Sequence, residues 1–229
     1  MQFTERTVML TGAAGNLGRA VAGAFANAGA NLALLDLKRA DLQDTEHQLV
    51  LPTDLLDAES VRAAVDKTTQ RFRRIDVLCN IAGGFRMGAA VHETSDKDWN
   101  FLLDINARTM LNMTRAVVPL MLKAGGGKIV NIGAFAAQKG AAQMGAYIAS
   151  KSAVIRLTET MAAELRDKNI NVNCVLPTII DTPENRAAMP KADPKRWVAP
   201  ADLAQVIVFL ASDAARAIHG AALPVTGLS

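Results

Sequence analysis

The sequence contains a single tyrosine, Tyr147, and places a lysine, Lys151, four residues after it in residues 145–153. Side chains four residues apart on a helix are neighbours. The ammonium would lie near the phenol, favour the phenolate and lower the pKa of the phenol below its usual value of ~10. Such a phenol can exchange a proton with an alcohol or carbonyl near neutral pH. A solvated pair on an ordinary helix is the alternative, so the rest of the chain must supply the context.

The composition indicates one sizeable globular domain. The chain has 229 residues, of which 50% are hydrophobic and 21% charged, and this fits a single domain over residues 1–229 better than two small ones. Aromatic residues make up 4% of the chain and the net charge of +3 comes from scattered basic residues. We therefore expect no nucleic-acid partner.

Two cysteines and three histidines bear on compartment and metal binding. Cys79 and Cys174 lie inside apolar runs, which indicates reduced, buried thiols. The histidines are too dispersed for a metal site. No basic segment followed by an apolar one opens the chain, and no run of 18 apolar residues occurs. We expect a cytoplasmic protein with no metal and no membrane partner.

A glycine-rich turn follows the first apolar run. Residues 7–11 stop at a glycine, and the sequence GAAGNLG leads into an alanine-rich stretch. Glycines at this spacing let the backbone turn tightly and approach a pyrophosphate closely, and they let the helix pack on the strand. The first N–H groups of the helix would face the phosphates. We expect cofactor contacts from Gly12, Gly15, Asn16, Leu17 and Gly18.

An acid ends the second predicted strand, residues 31–36. Asp36 lies 18 residues beyond the last glycine of the turn, where a carboxylate could accept hydrogen bonds from an adenosine ribose. Its charge would repel a 2′-phosphate, so NAD(H) is favoured. Lys38 and Arg39 keep NADP(H) possible, and a cap or turn role is the alternative for Asp36.

The remaining pattern alternates strands with helices. Further strands are predicted at residues 47–53, 75–81, 127–132, 171–176 and 222–225, and helices at 57–71, 99–124, 145–165 and 201–211. Continuous apolar strands alternating with helices indicate an α/β fold with a doubly wound parallel sheet. Ligands bind at the carboxyl ends of such strands. Residues at those ends include Gly12, Asp36, Asp54, Gly83, Gly133 and Pro177.

Two segments carry further expectations. Residues 178–199 hold three of the eight prolines and no clear period, which predicts a substrate loop or lid. The helix at 99–124 is apolar on more than one face, so it would cover the sheet on one side and a second subunit on the other. We expect a homodimer or homotetramer. Asp54 could cap the helix that follows it or contact adenine.

Over essentially its whole length the chain resembles the short-chain dehydrogenase/reductase family. The family's glycine turn is similar to residues 11–18, its ribose-binding acid to Asp36, and its YxxxK motif to Tyr147 and Lys151. Further similarities are those of its acid and apolar pair to Asp54 and Leu55, its NAG motif to residues 80–83 (NIAG), its helix asparagine to Asn106, and its PG motif to Pro177 and Thr178.

The resemblance implies a Rossmann fold with strand order 3-2-1-4-5-6-7 and a role for each matching residue. Tyr147 would be the general acid/base, Lys151 would bind the nicotinamide ribose and lower the pKa of the phenol, and Asn106 would complete a proton relay through water. Cofactor contacts are also implied for Asn80, Ala82, Gly83, Ile132, Tyr147, Lys151, Pro177, Thr178 and Ile180, and substrate contacts for Gly133, Ala134 and Gln143.

The chain departs from the family pattern at two positions. Asn16 stands where many members carry a middle glycine. Ala134 stands where the family has its catalytic serine, and loss of such a donor lowers the rate by ~10² to 10³. Three explanations stay open: the substrate needs no donor there, another group supplies it, or the protein does not turn over.

A closer resemblance bears on this choice. Residues 133–151 and 176–197 are similar to the dihydropteridine reductases, a branch with alanine at the serine position, which implies reduction of a quinonoid dihydropterin with NADH. Related bacterial chains would instead reduce other carbonyls or quinones. We thus expect an NAD(P)-dependent oxidoreductase acting on a small carbonyl, quinone or pterin-like substrate. The alternative is an NAD(H)-binding sensor or structural subunit without turnover.

Overall fold

The computed structural model describes residues 2–229 and contains one sheet of seven strands. These are β1 (Thr7–Thr11), β2 (Asn31–Asp36), β3 (Gln48–Pro52), β4 (Val77–Asn80), β5 (Gly127–Ile132), β6 (Ile170–Pro177) and β7 (Ala222–Val225). Every neighbouring pair is parallel, and the order β3-β2-β1-β4-β5-β6-β7 confirms the prediction. The central strands are buried along nearly their whole length, as the continuous apolar runs indicated.

Helices cover both faces of the sheet. They are α1 (Asn16–Asn27), α2 (Ala58–Phe72), α3 (Asp96–Leu103), α4 (Thr109–Ala124), α5 (Gly145–Leu165), α6 (Pro183–Ala188) and α7 (Pro200–Leu210). α1 and α7 bury their apolar side chains in one core on one face. α2, α4 and α5 form the second core on the other face. The sheet is thereby doubly covered, and its carboxyl edge stays free for a site.

The start of α2 corrects one alternative for Asp54. The cap of this helix is Asp57, whose side chain accepts a hydrogen bond from the Glu59 N–H. Asp54 instead accepts one from the Leu56 N–H at 2.9 Å. Asp54 therefore shapes the turn before the helix and does not cap it.

The predicted helix at 99–124 is interrupted. α3 ends at Leu103, residues Asp104–Arg108 form a π-helical turn, and α4 continues from Thr109. A π turn adds one residue to the helical repeat and occurs frequently at functional sites. Asn106 lies within this turn, so the interruption determines where its side chain points.

Residues 178–199 have more regular structure than their composition suggested. Thr182 caps α6 by accepting from the Asn185 N–H, and a 3₁₀ turn forms at Pro194–Arg196. Ile180 pairs with Val198 in an isolated parallel bridge. The segment thus contains two short helices, and the bridge between Ile180 and Val198 brings its two ends together.

Both cysteines are free and buried, as predicted, Cys79 in β4 and Cys174 in β6. Burial raises the pKa of Cys174 to about 11, so its thiol stays protonated at neutral pH. Among residues 2–229, no helix is long and apolar enough to cross a membrane.

Candidate active site

Tyr147 lies in the first turn of α5, under the loop that follows β4. The Phe85 ring packs edge-on against it, with centroids 4.9 Å apart and an interplanar angle of 87°. The same loop closes on the start of the helix, because a Cβ on Gly145 would lie 2.9 Å from a methyl carbon of Val91. Tyr147 is therefore half-buried beneath a loop contributed from another part of the sheet edge.

Lys151 lies one turn further along α5 and is buried. Only 5% of its surface is exposed, and its ammonium donates to the Ile132 carbonyl at 2.8 Å. Ile132 is the last residue of β5. The Ile132 carbonyl oxygen thus positions the lysine, and the predicted contact of Ile132 with the cofactor stays a prediction.

Burial dominates the acid–base properties of this pair. It raises the pKa of Tyr147 to about 12 and lowers the pKa of Lys151 to about 8. The expectation that the ammonium lowers the phenol pKa is therefore wrong for this structure. The reason is that desolvation penalises both charged forms, while the ammonium is directed at a backbone carbonyl.

Asn106 is held by three hydrogen bonds. Its amide donates to the Gly84 carbonyl and to the Ser150 hydroxyl, and its oxygen accepts from the Gly84 N–H, each at 3.0 Å. Ser150 in turn donates to the Tyr147 carbonyl at 2.7 Å. The π turn, the loop after β4 and the first turns of α5 are thereby fastened together.

Gly83 marks the point where these groups converge. A Cβ built on Gly83 would lie 2.9 Å from the Asn106 oxygen and 3.2 Å from the Lys151 nitrogen. Both polar atoms therefore border the same small space. Any side chain at residue 83 would occupy it, which explains the need for glycine there.

Ala134 is buried in a small apolar cluster beside Tyr147. Only 3% of it is exposed, and its cluster contains Ala137, Ile155, Cys174 and Leu176, with Tyr147 packed against it. Tyr147 aside, none of these side chains carries a hydroxyl. At Gly133, next to Ala134, a Cβ would lie 2.5 Å from a methyl carbon of the buried Leu176, so a side chain there would force Leu176 to shift.

A small cavity of about 80 Å³ opens next to Tyr147. Its wall includes Gln143, whose left-handed backbone (φ 61°) is pinned by the Gly88 N–H donating to its carbonyl at 2.8 Å. Arg86 also borders it, with its guanidinium 3.8 Å above the Phe101 ring and bonded to Asp98 at 2.8 Å. The lining comprises residues 86–89, 93–95, 98, 102 and 143–147.

The glycine turn has the features that a dinucleotide requires. Gly12 adopts a left-handed conformation (φ 67°), and a Cβ on Gly18 would collide with the Gly12 carbonyl. Gly15 precedes α1 without a side-chain cap, and the first turn of α1 carries no acid. Within the described chain, the first N–H groups of this helix, from Asn16 and Leu17 onward, thus have no side-chain cap and suit an anion. The residues present fit a dinucleotide phosphate.

Asp36 lies beside that turn, at the end of β2. One carboxylate oxygen accepts from the Ala14 N–H at 2.9 Å and the other from the Leu37 N–H at 2.8 Å. These bonds fix the carboxylate at the corner between β1 and β2, where the ribose contact is predicted.

The other predicted cofactor residues divide into two groups. Asn80 and Ala82 lie at the end of β4, where Asn80 donates to Asn131 at 2.8 Å, and Leu55 follows the edge strand β3 and is buried in the second core. Pro177, Thr178 and Ile180 lie beyond β6, where the Thr178 hydroxyl donates to the Thr226 carbonyl at 2.9 Å. All six lie at or near the same carboxyl edge as Gly83, and their contacts with a cofactor stay predictions.

The chain is similar in sequence to several dehydrogenases and reductases. A family model described as enoyl-(acyl carrier protein) reductase matches residues 12–227. A D-threitol dehydrogenase from Mycolicibacterium smegmatis is 37% identical, with 97% of this chain and 92% of the relative covered. The dehydrogenase/reductase SDR family member 6 of Rattus norvegicus is 33% identical, with 97% and 96% covered. The chain belongs to the short-chain dehydrogenase/reductase family. It is an NAD(P)-dependent oxidoreductase.

Solved structures agree with this family membership. A NAD⁺-bound xylitol dehydrogenase superposes with a TM-score of 0.89 at 30% identity, covering 99% of this chain and 100% of that one. Together with the family membership, this similarity supports a nicotinamide cofactor for this chain. The closer resemblance to the dihydropteridine reductases stays a prediction.

Sequence reasoning missed several residues of this short-chain dehydrogenase/reductase site. The Thr11 hydroxyl accepts from the N–H groups of Ile81 and Ala82 at 3.0 and 3.1 Å, which ties the end of β1 to the end of β4. Ser150 was overlooked although it lies between Tyr147 and Lys151. Phe85 and Arg86 had no sequence signal, because only the folded loop brings them to the tyrosine.

Proposed function

We propose that this oxidoreductase transfers a hydride between NAD(H) and a small carbonyl, quinone or pterin-like substrate, with Tyr147 as general acid/base. The observation that carries the proposal is that Tyr147 lines the cavity, while Lys151, on the next turn of the same helix, borders the same small space as Asn106 at Gly83. A bound nicotinamide would supply or accept the hydride. Gly12, Gly15, Gly18 and Asp36 would hold the dinucleotide.

The proton chemistry follows from the burial of Tyr147. With its pKa raised to about 12, the phenol is protonated at neutral pH. This state suits the reductive direction, in which the phenol donates its proton to the substrate atom that receives the electron pair. Lys151, held by the Ile132 carbonyl, and Asn106, held by Gly84 and Ser150, would return a proton to the phenolate through solvent.

The Ala134 cluster supports a conjugated acceptor. A simple ketone develops a localised oxyanion, which a serine hydroxyl would stabilise. The buried cluster that Tyr147 packs against consists of Ala134, Ala137, Ile155, Cys174 and Leu176, and none of these five side chains carries a hydroxyl. A quinone or quinonoid pterin spreads the incoming charge over a ring and has less need of one.

This proposal is tested by measuring the turnover of several acceptors by the parent enzyme and by one variant. Ala134→Ser restores a hydroxyl next to Tyr147 in the smallest possible step. We expect it to raise NADH-dependent turnover of simple ketones by up to the ~10² to 10³ that one such donor supplies, and to change turnover of quinones and quinonoid dihydropterin much less. Equal improvement of every acceptor would contradict specialisation for a conjugated substrate.

A polyol or other secondary alcohol is the second candidate substrate. The observation that favours it is the similarity to the D-threitol dehydrogenase and the xylitol dehydrogenase. Assays of alcohol oxidation with NAD⁺ on the parent enzyme separate the two candidates. Rapid oxidation of a polyol, with no turnover of conjugated acceptors, would select the alcohol.

A further inference from the structure

An arginine and an aspartate form an ion pair beside the glycine turn. Arg19 lies in the first turns of α1, and its Nε donates to the Ala14 carbonyl at 2.9 Å. Its two terminal nitrogens both contact the Asp41 carboxylate, Nη1 at 3.1 Å and Nη2 more closely. The Ala14 carbonyl therefore binds the Nε of Arg19, and Asp41 binds both of its terminal nitrogens.

This ion pair adjoins the carboxylate that is predicted to select the cofactor. The N–H of Ala14 donates to Asp36 at 2.9 Å, while the carbonyl of the same residue accepts from Arg19. Hydrogen bonding to Asp41, together with the charges of Asp41 and Asp36, raises the pKa of Arg19 above its usual value. The guanidinium thus lies at the corner where a 2′-phosphate on the adenosine ribose would have to fit.

We propose that Asp41 is a second determinant of cofactor choice, because it engages Arg19 and keeps that guanidinium from pairing with a 2′-phosphate. The inference rests on the proposed binding of the dinucleotide at the glycine turn and on Asp36 at its ribose. Asp41 acts through Arg19, so it is a positioning residue. Without it, Arg19 would be available for the two-pronged hydrogen bonding that arginine makes to phosphate.

A neighbouring ion pair supplies a matched comparison. Arg39 bonds to Asp44 at 2.7 Å in the same loop, and Asp44 also accepts from the Val50 N–H at 2.7 Å. Neither residue makes a hydrogen bond to the glycine turn or to Asp36 within residues 2–229. Removing the charge of Asp44 therefore changes the net charge of the loop as much as removing that of Asp41, but it releases a different arginine.

The test is a set of fluorescence titrations with NADH and with NADPH. Asp41→Asn should raise the affinity for NADPH by about fivefold, the scale of an exposed ion pair released to a new anion, and leave that for NADH within about twofold. Because a released Arg39 could itself reach a 2′-phosphate, the Asp44→Asn control is made in an Arg39→Gln background, where it should change either affinity by less than about twofold. Adding Arg19→Gln to Asp41→Asn should remove the gain, and high salt should shrink it.

Three outcomes would overturn the inference. They are an unchanged NADPH affinity in Asp41→Asn, an equal gain from Asp44→Asn in the Arg39→Gln background, and a gain that survives Arg19→Gln. Because Asp41 is exposed, NADH affinity in each variant also reports that the fold is intact. A parent enzyme that bound neither nucleotide would instead refute the proposed function, so the two failures are distinguishable.

Discussion

Lys151 is a cation held inside the protein by a neutral partner. Its ammonium donates to the Ile132 carbonyl, and burial lowers its pKa from the usual 10.5 to about 8. The folded state therefore binds this proton less tightly than the unfolded chain does. Between about pH 8 and pH 10.5 the unfolded state holds more protons, so stability increases with pH across that window.

Lys151→Met isolates this contribution. The free energy of unfolding of the parent minus that of Lys151→Met should increase by roughly 1–3 kcal/mol between pH 8 and pH 10.5. Urea denaturation of both proteins at several pH values measures this difference. The exposed Lys123 serves as the control, and Lys123→Met should follow the parent at every pH. A difference between parent and Lys151→Met that did not vary with pH would contradict the burial of a charged amine.

The residue-scale chemistry was only partly predictable from the sequence. The spacing of Tyr147 and Lys151 placed the two on neighbouring turns of one helix, as the structure shows. Their burial was not predictable, because Phe85 covers the tyrosine from a loop about 60 residues away in the chain. The direction of the phenol pKa depends on that tertiary contact.

At the scale of elements, two glycines of α1 have different roles. Gly18 and Gly23 both lie in α1, but a Cβ on Gly18 would collide with the Gly12 carbonyl, whereas a Cβ on Gly23 meets nothing within 4 Å. The first glycine lets the helix approach the strand. The second only weakens the helix.

Alanine substitutions at these two positions should act in opposite directions. Gly18→Ala should destabilise the protein by roughly 1–3 kcal/mol and weaken NADH binding, because the turn must shift. Gly23→Ala should stabilise it by roughly 0.5–1 kcal/mol and leave NADH binding unchanged. Urea denaturation and fluorescence titration measure both effects. Equal effects of the two substitutions would show that α1 does not pack on the turn as described.

The helix carrying Asn106 shows what local patterns leave out. The apolar period predicted a continuous helix at 99–124, but a π turn interrupts it at Asp104–Arg108. The interruption accompanies hydrogen bonds from Asn106 to Gly84 and Ser150, which belong to other elements. A periodic pattern reports which face is buried and contains no information on such contacts.

At the scale of the whole molecule, the alternation of strands and helices predicted a doubly wound parallel sheet, and the resemblance to the short-chain dehydrogenase/reductase family supplied the strand order. Quaternary structure depends on surfaces instead. On α4, Leu111 and Val118 are half-buried and Leu122 is 43% exposed, and their spacing places them along one face. The exposed Arg115 lies among them, and this partly apolar face suits a twofold contact with a second copy of the chain.

The predicted assembly is a homodimer or homotetramer, measured by light scattering at micromolar concentration. Leu122→Glu should shift the equilibrium toward smaller species, because a charge would enter the apolar contact. Lys123→Glu, at the neighbouring exposed position, is the control and should leave the assembly unchanged. A parent protein that is monomeric under these conditions would refute the predicted contact through α4.

The central claim is that Tyr147 is the proton donor of an NADH-dependent reductase. Its most direct test follows nicotinamide absorbance in single turnovers of the NADH complex with each acceptor, for the parent and for Tyr147→Phe. The variant keeps the ring but loses the phenol oxygen. We predict that it binds NADH as the parent does, while the turnover rate falls by ~10² to 10⁴. A Tyr147→Phe enzyme that reduces the same acceptor at the parent rate would contradict the account.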